Sequence, residues 1–263
     1  MRVTTRRMRS VFNLLGDYYK SKATKPFTAH LKVLGKRLGA VRDIDVMMVN
    51  LQEYQQNHAT DSAFESQLAR LQGKREKAVK RLSKFLKTEE HTNFTERFTK
   101  FLTHEGKGVR KVPTHTTTPY QVRHVLPIIV QEHLATIKAY DNVLNDPDVD
   151  TLHGLRIEFK QMRYLITHFQ DVLGTSSSSF TDDLVHIQDY LGELNDSVVA
   201  HAYFSALAKG KKLAADQKET LSAYLETLAD DRQDAIENFS KVWDKFNTRT
   251  VQRRLMDALL VLR

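Results

Sequence analysis

A chain of 263 residues, 41% hydrophobic and 27% charged, is long enough to bury one large core or two modest ones. It has no cysteine, which excludes disulfides and thiolate metal sites and fits a cytoplasmic setting, and no apolar run approaches the roughly 20 residues of a membrane span. An excess of 40 Lys and Arg over 32 Asp and Glu, a net charge of +8, favours polyanionic partners.

Only 10 glycines and 5 prolines punctuate the chain, which favours long helices. Residues 1–19 read as a helix with Met8, Val11, Phe12 and Leu15 on one apolar stripe. No apolar run follows the charged opening MRVTTRRMRS, so no secretory leader is read there. Pro26 is placed to open a second helix that runs to about residue 57. A third, rich in Lys and Arg, covers about 61–88. A short aromatic fourth carries Phe94, Phe98 and Phe101 and ends near Gly106 and Gly108, followed by a loop over 105–119. A helix over 120–144 bends at Pro127 and stops at Asn145–Asp146–Pro147. Four more are read at about 150–173, 179–209, 213–246 and 249–262. No segment alternates with period two, so the fold class is all-α.

The chain repeats itself. MRVTTRRMRSVFNLL at 1–15 aligns with LRIEFKQMRYLITHF at 155–169, an offset of about 154. LGAVRD at 38–43 aligns with LGELND at 191–196, an offset of about 153. Two matches in the same order at the same distance point to one duplication. A repeat this long is a duplicated domain rather than a solenoid unit. The reading is therefore two helical bundles related by an approximate two-fold, 1–119 and 120–263, together forming one domain.

At 100° per residue, Arg2, Arg6 and Arg9 fall in a narrow arc away from the apolar stripe, and Arg156, Lys160 and Arg163 repeat the pattern. Like charges stacked at this spacing repel by a few tenths of a kcal/mol per pair. No acidic residue lies between Arg2 and Arg9, and Glu158 projects off the second stripe. Recurrence of that cost in both halves points to an anion that offsets it. Lys36 and Arg37 of the second helix, and Lys74, Lys77, Lys80 and Arg81 of the third, add cations that serve either as ordinary surface charge or as part of a groove or central channel. Arg forks onto phosphate oxygens while Lys acts as a mobile point charge.

These residues resemble a known family. LHGLRIEFKQMRY at 152–164 looks like the signature of the CHAD (conserved histidine α-helical domain) family, and RVTTRRMRS at 2–10 like its first-half version. LGAVRDIDV and LGELNDSVV resemble the second-helix motifs of the two halves. The resemblance spans essentially the whole chain. It implies two helical bundles that bind inorganic polyphosphate along a basic surface or pore, association with polyphosphate granules, and no catalysis. His153 holds the eponymous position; its first-half counterpart would lie two residues before Met1, which predicts a preceding segment. His153 is read as a helix-start residue that bonds locally or touches phosphate rather than as a metal ligand.

One structural pair is predicted from the repeat. Arg7 and Asp45 fall inside apolar arcs, and their repeat partners are Gln161 and Val198, so both charges vanish together. A buried charge needs a partner, so the two are expected to pair across the first bundle. Asp43 and Asp196, kept in both halves, are read either as carboxylates that orient the stripe arginines or as surface residues. Two other functions compete. A phosphoanhydride-processing enzyme would need converging carboxylates on Mg²⁺ or a P-loop, and neither motif is present. Nucleic-acid binding is not expected, because the stripes lack interleaved aromatics and no helix-turn-helix pattern stands out. No cofactor or metal is implied.

Overall fold

The computed structural model describes residues 1–58, 62–111, 117, 119–210 and 213–262. Among these the fold is helical, and an isolated antiparallel bridge joins Tyr19 to Val109. The helices are α1 (Arg2–Leu14), α2 (Ser21–His58), α3 (Ser62–Leu86), α4 (Glu89–Thr103), α5 (Val122–Ala139), α6 (Val149–His168), α7 (Ser176–Ala208), α8 (Ala215–Glu237), α9 (Phe239–Phe246) and α10 (Arg249–Leu259). The all-α class stands.

Side-chain caps fix several starts. The Thr88 hydroxyl accepts from the His91 N–H at α4, Asp148 from Thr151 at α6, and Thr248 from Val251 at α10. Two boundaries differ from the sequence reading. Pro26 lies inside α2, which begins at Ser21. The segment 213–246 is two helices parted at Asn238, whose side-chain amide donates to the Asp234 carbonyl.

The chain divides into two compact units, Met1–Lys111 with Val199–Leu228, and Val112–Val198 with Ala229–Arg263. The sequence reading drew a single cut at 119/120; the chain instead changes unit within α7 and again within α8. In the first unit Met47, Leu51, Phe64, Leu71, Phe204 and Leu221 form one core. Phe27, Leu31, Phe98 and Phe101 form another, against which Met8 and Phe12 pack. The turn after α4 closes onto the α1–α2 connection, where Lys20 N–H donates to the Gly108 carbonyl and Arg110 N–H to Tyr18. Gly108 has φ +81°, and a Cβ there would lie 2.7 Å from the Phe101 ring. In the second unit Phe159 of α6 is fully buried, with the Phe246 ring 4.7 Å away and Trp243 edge-on at 6.3 Å. Each such side chain contributes on the order of 1.5–3 kcal/mol by burial.

Candidate functional site

In the first unit, Arg2, Arg6 and Arg9 are all half-buried. The buried residues of α1 are Thr5 and Ser10, which flank the arginine stripe on the helix surface. Their hydroxyls turn back onto their own helix, Thr5 to the Met1 carbonyl at 3.0 Å and Ser10 to the Arg7 carbonyl at 2.7 Å. These buried hydroxyls thus find acceptors on their own helix. A Cβ at Gly35 of α2 would lie 3.3 Å from Arg9 Nη1 and 3.9 Å from the Thr5 methyl, so the Arg9 guanidinium rests against the α2 backbone. The sequence reading turned this stripe away from the protein; in the fold it is partly enclosed.

The predicted Arg7–Asp45 pair does not form. Arg7 is exposed, and Asp45 bonds Arg75 of α3, Nε to Oδ1 at 2.6 Å, with both side chains about 40% exposed. The reason is the rotation of α1, which is held through Thr5 and Ser10 and so leaves Arg7 on the solvent side. Asp45 belongs to the contact of α2 with α3.

The other first-unit cations divide into two kinds. Arg37 is half-buried with its guanidinium 4.6 Å from the Phe85 ring centroid, and Lys74 places its ammonium 4.2 Å over Tyr203. Lys36, Lys77, Lys80 and Arg81 are exposed. Arg42 lies 3.7 Å from Asp43, the retained acid of its motif.

In the second unit, Arg156, Lys160 and Arg163 are again half-buried, on a helix whose Leu155, Phe159, Met162 and Ile166 are fully buried. The Arg163 guanidinium lies 5.8 Å from the Tyr164 ring centroid, and its Nε is buried without a hydrogen-bond partner. Arg6, Arg156 and Lys160 each hold an interaction within the fold. Glu158 is paired to His133 of α5 at 3.5 Å. His153 is exposed, and its Nδ1 lies 3.0 Å from Asn195 Oδ1 of α7. The two residues edge a cavity of about 250 Å³ whose walls include Leu152, Leu191 and Val198. No group of three or more metal-ligating side chains converges among the described residues.

The geometry is therefore a three-cation helical face in each unit, one on α1 and one on α6. A profile of the CHAD domain matches residues 1–205. The chain belongs to the CHAD family. Two solved structures share its fold. PptA from Streptomyces chartreusis aligns with a TM-score of 0.74 at 12% identity, covering 92% of this chain and 87% of that one. The CHAD domain from the plant Ricinus communis aligns with a TM-score of 0.67 at 21% identity, covering 90% and 80%. No curated protein matches in sequence. As in the sequence reading, no helix of this CHAD chain among the described residues is long and apolar enough to cross a membrane.

Sequence reasoning missed several partners of these side chains. Asn195 was visible within LGELND, but nothing assigned it to His153. The aromatic supports of Arg37 and Lys74 come from other helices and carry no local signal.

Proposed function

We propose that the chain binds inorganic polyphosphate through the Arg and Lys faces of α1 and α6, and does not alter it chemically. One observation carries the reading: both units keep three like-charged side chains half-buried on one helical face with no acidic residue among them on that face. Partial burial makes that repulsion more costly and attraction to an anion stronger. Polyphosphate answers both, since its phosphates follow one another along a chain and match cations one turn apart. Membership in a family associated with polyphosphate binding supports the choice of anion. His153, Lys36, Arg37, Lys74, Lys77, Lys80 and Arg81 are proposed as additional contacts. The finer reading includes an internal duplication, in which α1–α2 superposes on α6–α7 with Arg2 over Arg156 and Arg9 over Arg163. It also places the protein at polyphosphate granules in the cytoplasm.

The test is titration with long-chain polyphosphate at several salt concentrations. Log affinity should fall steeply with log salt, because neutralising phosphates releases their counterions. Arg156→Gln/Lys160→Gln/Arg163→Gln should weaken binding strongly. Lys87→Gln/Lys100→Gln/Lys107→Gln, three exposed residues with the same charge loss, should weaken it little. Equal losses would mean that affinity tracks net charge and that the helical faces are not the site. Displacement of polyphosphate by DNA at equal phosphate concentration would favour a nucleic-acid role. Release of phosphate with Mg²⁺ present would make the protein an enzyme.

A further inference from the structure

Gly154 and Glu158 lie one turn apart on the side of α6 opposite Arg156, Lys160 and Arg163. Both meet the α5 segment. The Tyr140 hydroxyl, just after α5, occupies the space a side chain at Gly154 would need: a Cβ there would lie 2.7 Å from the phenol oxygen, 3.7 Å from Cζ and 3.9 Å from Cε1. One turn on, Glu158 Oε2 is 3.5 Å from His133 Nδ1, with both side chains about four-fifths buried. Burial, and after it the nearby Glu158 charge, pushes the Tyr140 phenol above its usual range.

We infer that Tyr140 and Gly154, with the His133–Glu158 pair, are positioning residues that set the rotation of α6 about its axis and so aim its cationic face. A helix with a half-buried stripe delivers its charges usefully at one rotation only. The phenol against bare backbone fixes how closely α6 approaches α5, and the His133–Glu158 contact one turn away resists rolling about that point. The same pairing draws the one carboxylate of the helix's central turns away from the stripe. Arg–phosphate forks are directional, so a small roll removes contacts without unfolding the helix. This inference rests on the polyphosphate reading above.

The experiment compares wild type, Gly154→Ala, Tyr140→Phe and the double variant in the full chain. Polyphosphate is titrated across a salt series, and circular dichroism follows thermal unfolding. Gly154→Ala should weaken binding several-fold and flatten the dependence of log affinity on log salt by about one unit per lost ionic contact, at a temperature where the protein is fully folded. A merely structural role would leave that slope unchanged. Tyr140→Phe, which removes the oxygen that sets the approach but adds no clash, should bind between wild type and Gly154→Ala. The double variant should recover affinity and slope, because the nearest ring atom is then 3.7 Å from the new methyl, an ordinary contact. Recovery failing, or Gly154→Ala binding like wild type, overturns the inference.

Should Gly154→Ala not fold, His133→Gln releases the second point without adding volume, and an unchanged slope there also overturns it. A second readout needs no polyphosphate. The chain has no cysteine, so spin labels at Thr136→Cys and Asp150→Cys, both exposed, report the α5–α6 distance directly. That distance should shift in Gly154→Ala and return in the double variant. A shift without polyphosphate binding by the wild type would sink the functional reading and leave the positioning contact standing. No shift would sink the positioning contact itself.

Discussion

Replacing Asp45 by Ala separates the observed pairing from the one the repeat suggested. The Arg75–Asp45 contact is short, 2.6 Å, but its side chains are 40% and 44% exposed. Two unit charges about 4 Å apart in bulk water attract by about 1 kcal/mol. Holding two side chains in one geometry offsets part of this, and exposed pairs typically measure about 0.2–1 kcal/mol. The charge-assisted hydrogen bond places this pair toward the upper end, near about 1 kcal/mol. A buried Arg7–Asp45 pair would instead cost about 3–5 kcal/mol on losing one member. The assay is urea unfolding of Asp45→Ala, Arg75→Ala, Arg7→Ala and the two double variants that include Asp45. The cycle with Arg75 should give a coupling of about 1 kcal/mol that shrinks in about 1 M salt, where the screening length is about 3 Å. The cycle with Arg7 should give none. A larger coupling for Arg7 than for Arg75 would refute the assignment.

Burial first, then the neighbouring His91, hold the His30 imidazole below the usual histidine range, while Glu90 opposes them. His30 Nε2 lies 3.0 Å from His91 Nδ1, with the His30 ring stacked 4.0 Å from Phe94, so a bound proton breaks a well-packed neutral contact. Its folded pKa being lowered, the contribution is complete above the ordinary histidine value of 6.5 and is lost as pH falls toward the folded pKa. Unfolding between about pH 7.5 and about pH 5 should show that loss, and His30→Phe should reduce it. Gly108→Ala should cost about 2 kcal/mol or more in thermal unfolding, from its positive φ and the 2.7 Å approach to Phe101. Gly39→Ala, inside α2 with nothing near its Cβ position, should stabilise by about 1 kcal/mol.

Much of the fold was legible because helical periodicity states which residues share a face. Leu155, Phe159 and Met162 are among the fully buried residues of α6, and Phe94, Phe98 and Phe101 line one side of α4. The breaks were less legible. Phe239, Trp243 and Phe246 continue the apolar pattern of the segment before them, so the stop at Asn238 is invisible to periodicity. Pro26 marks a place near a helix start, but it is the sixth residue of α2, beyond the first turn that favours proline, and Ser21 begins the helix instead. The Arg7–Asp45 inference failed for a related reason. Loss of both charges in the second half constrains their types, whereas a pairing also requires the rotation of α1 on α2, which no single helix encodes.

The same limit governs the site. Residue types and spacing identified the cationic faces of α1 and α6, yet a helical wheel gives angles between residues and not the angle of the helix to its neighbours. Thr5 and Ser10 carry the missing information in retrospect: small side chains whose hydroxyls bond back to their own helix can be buried beside arginines. Arginine tolerates partial burial better than lysine because its guanidinium is weakly hydrated, and five of the six stripe residues are Arg. Asp45 contacts Arg75 of α3, and Glu158, on the opposite side of α6 from its stripe, contacts His133. What distinguishes the molecule is therefore less its net charge of +8 than where the opposite charges are kept. A surface with the same total but interspersed signs would attract an anion weakly and in any orientation. Under the proposed function, each three-cation helical face held at a fixed rotation would instead take a phosphate chain along a defined direction.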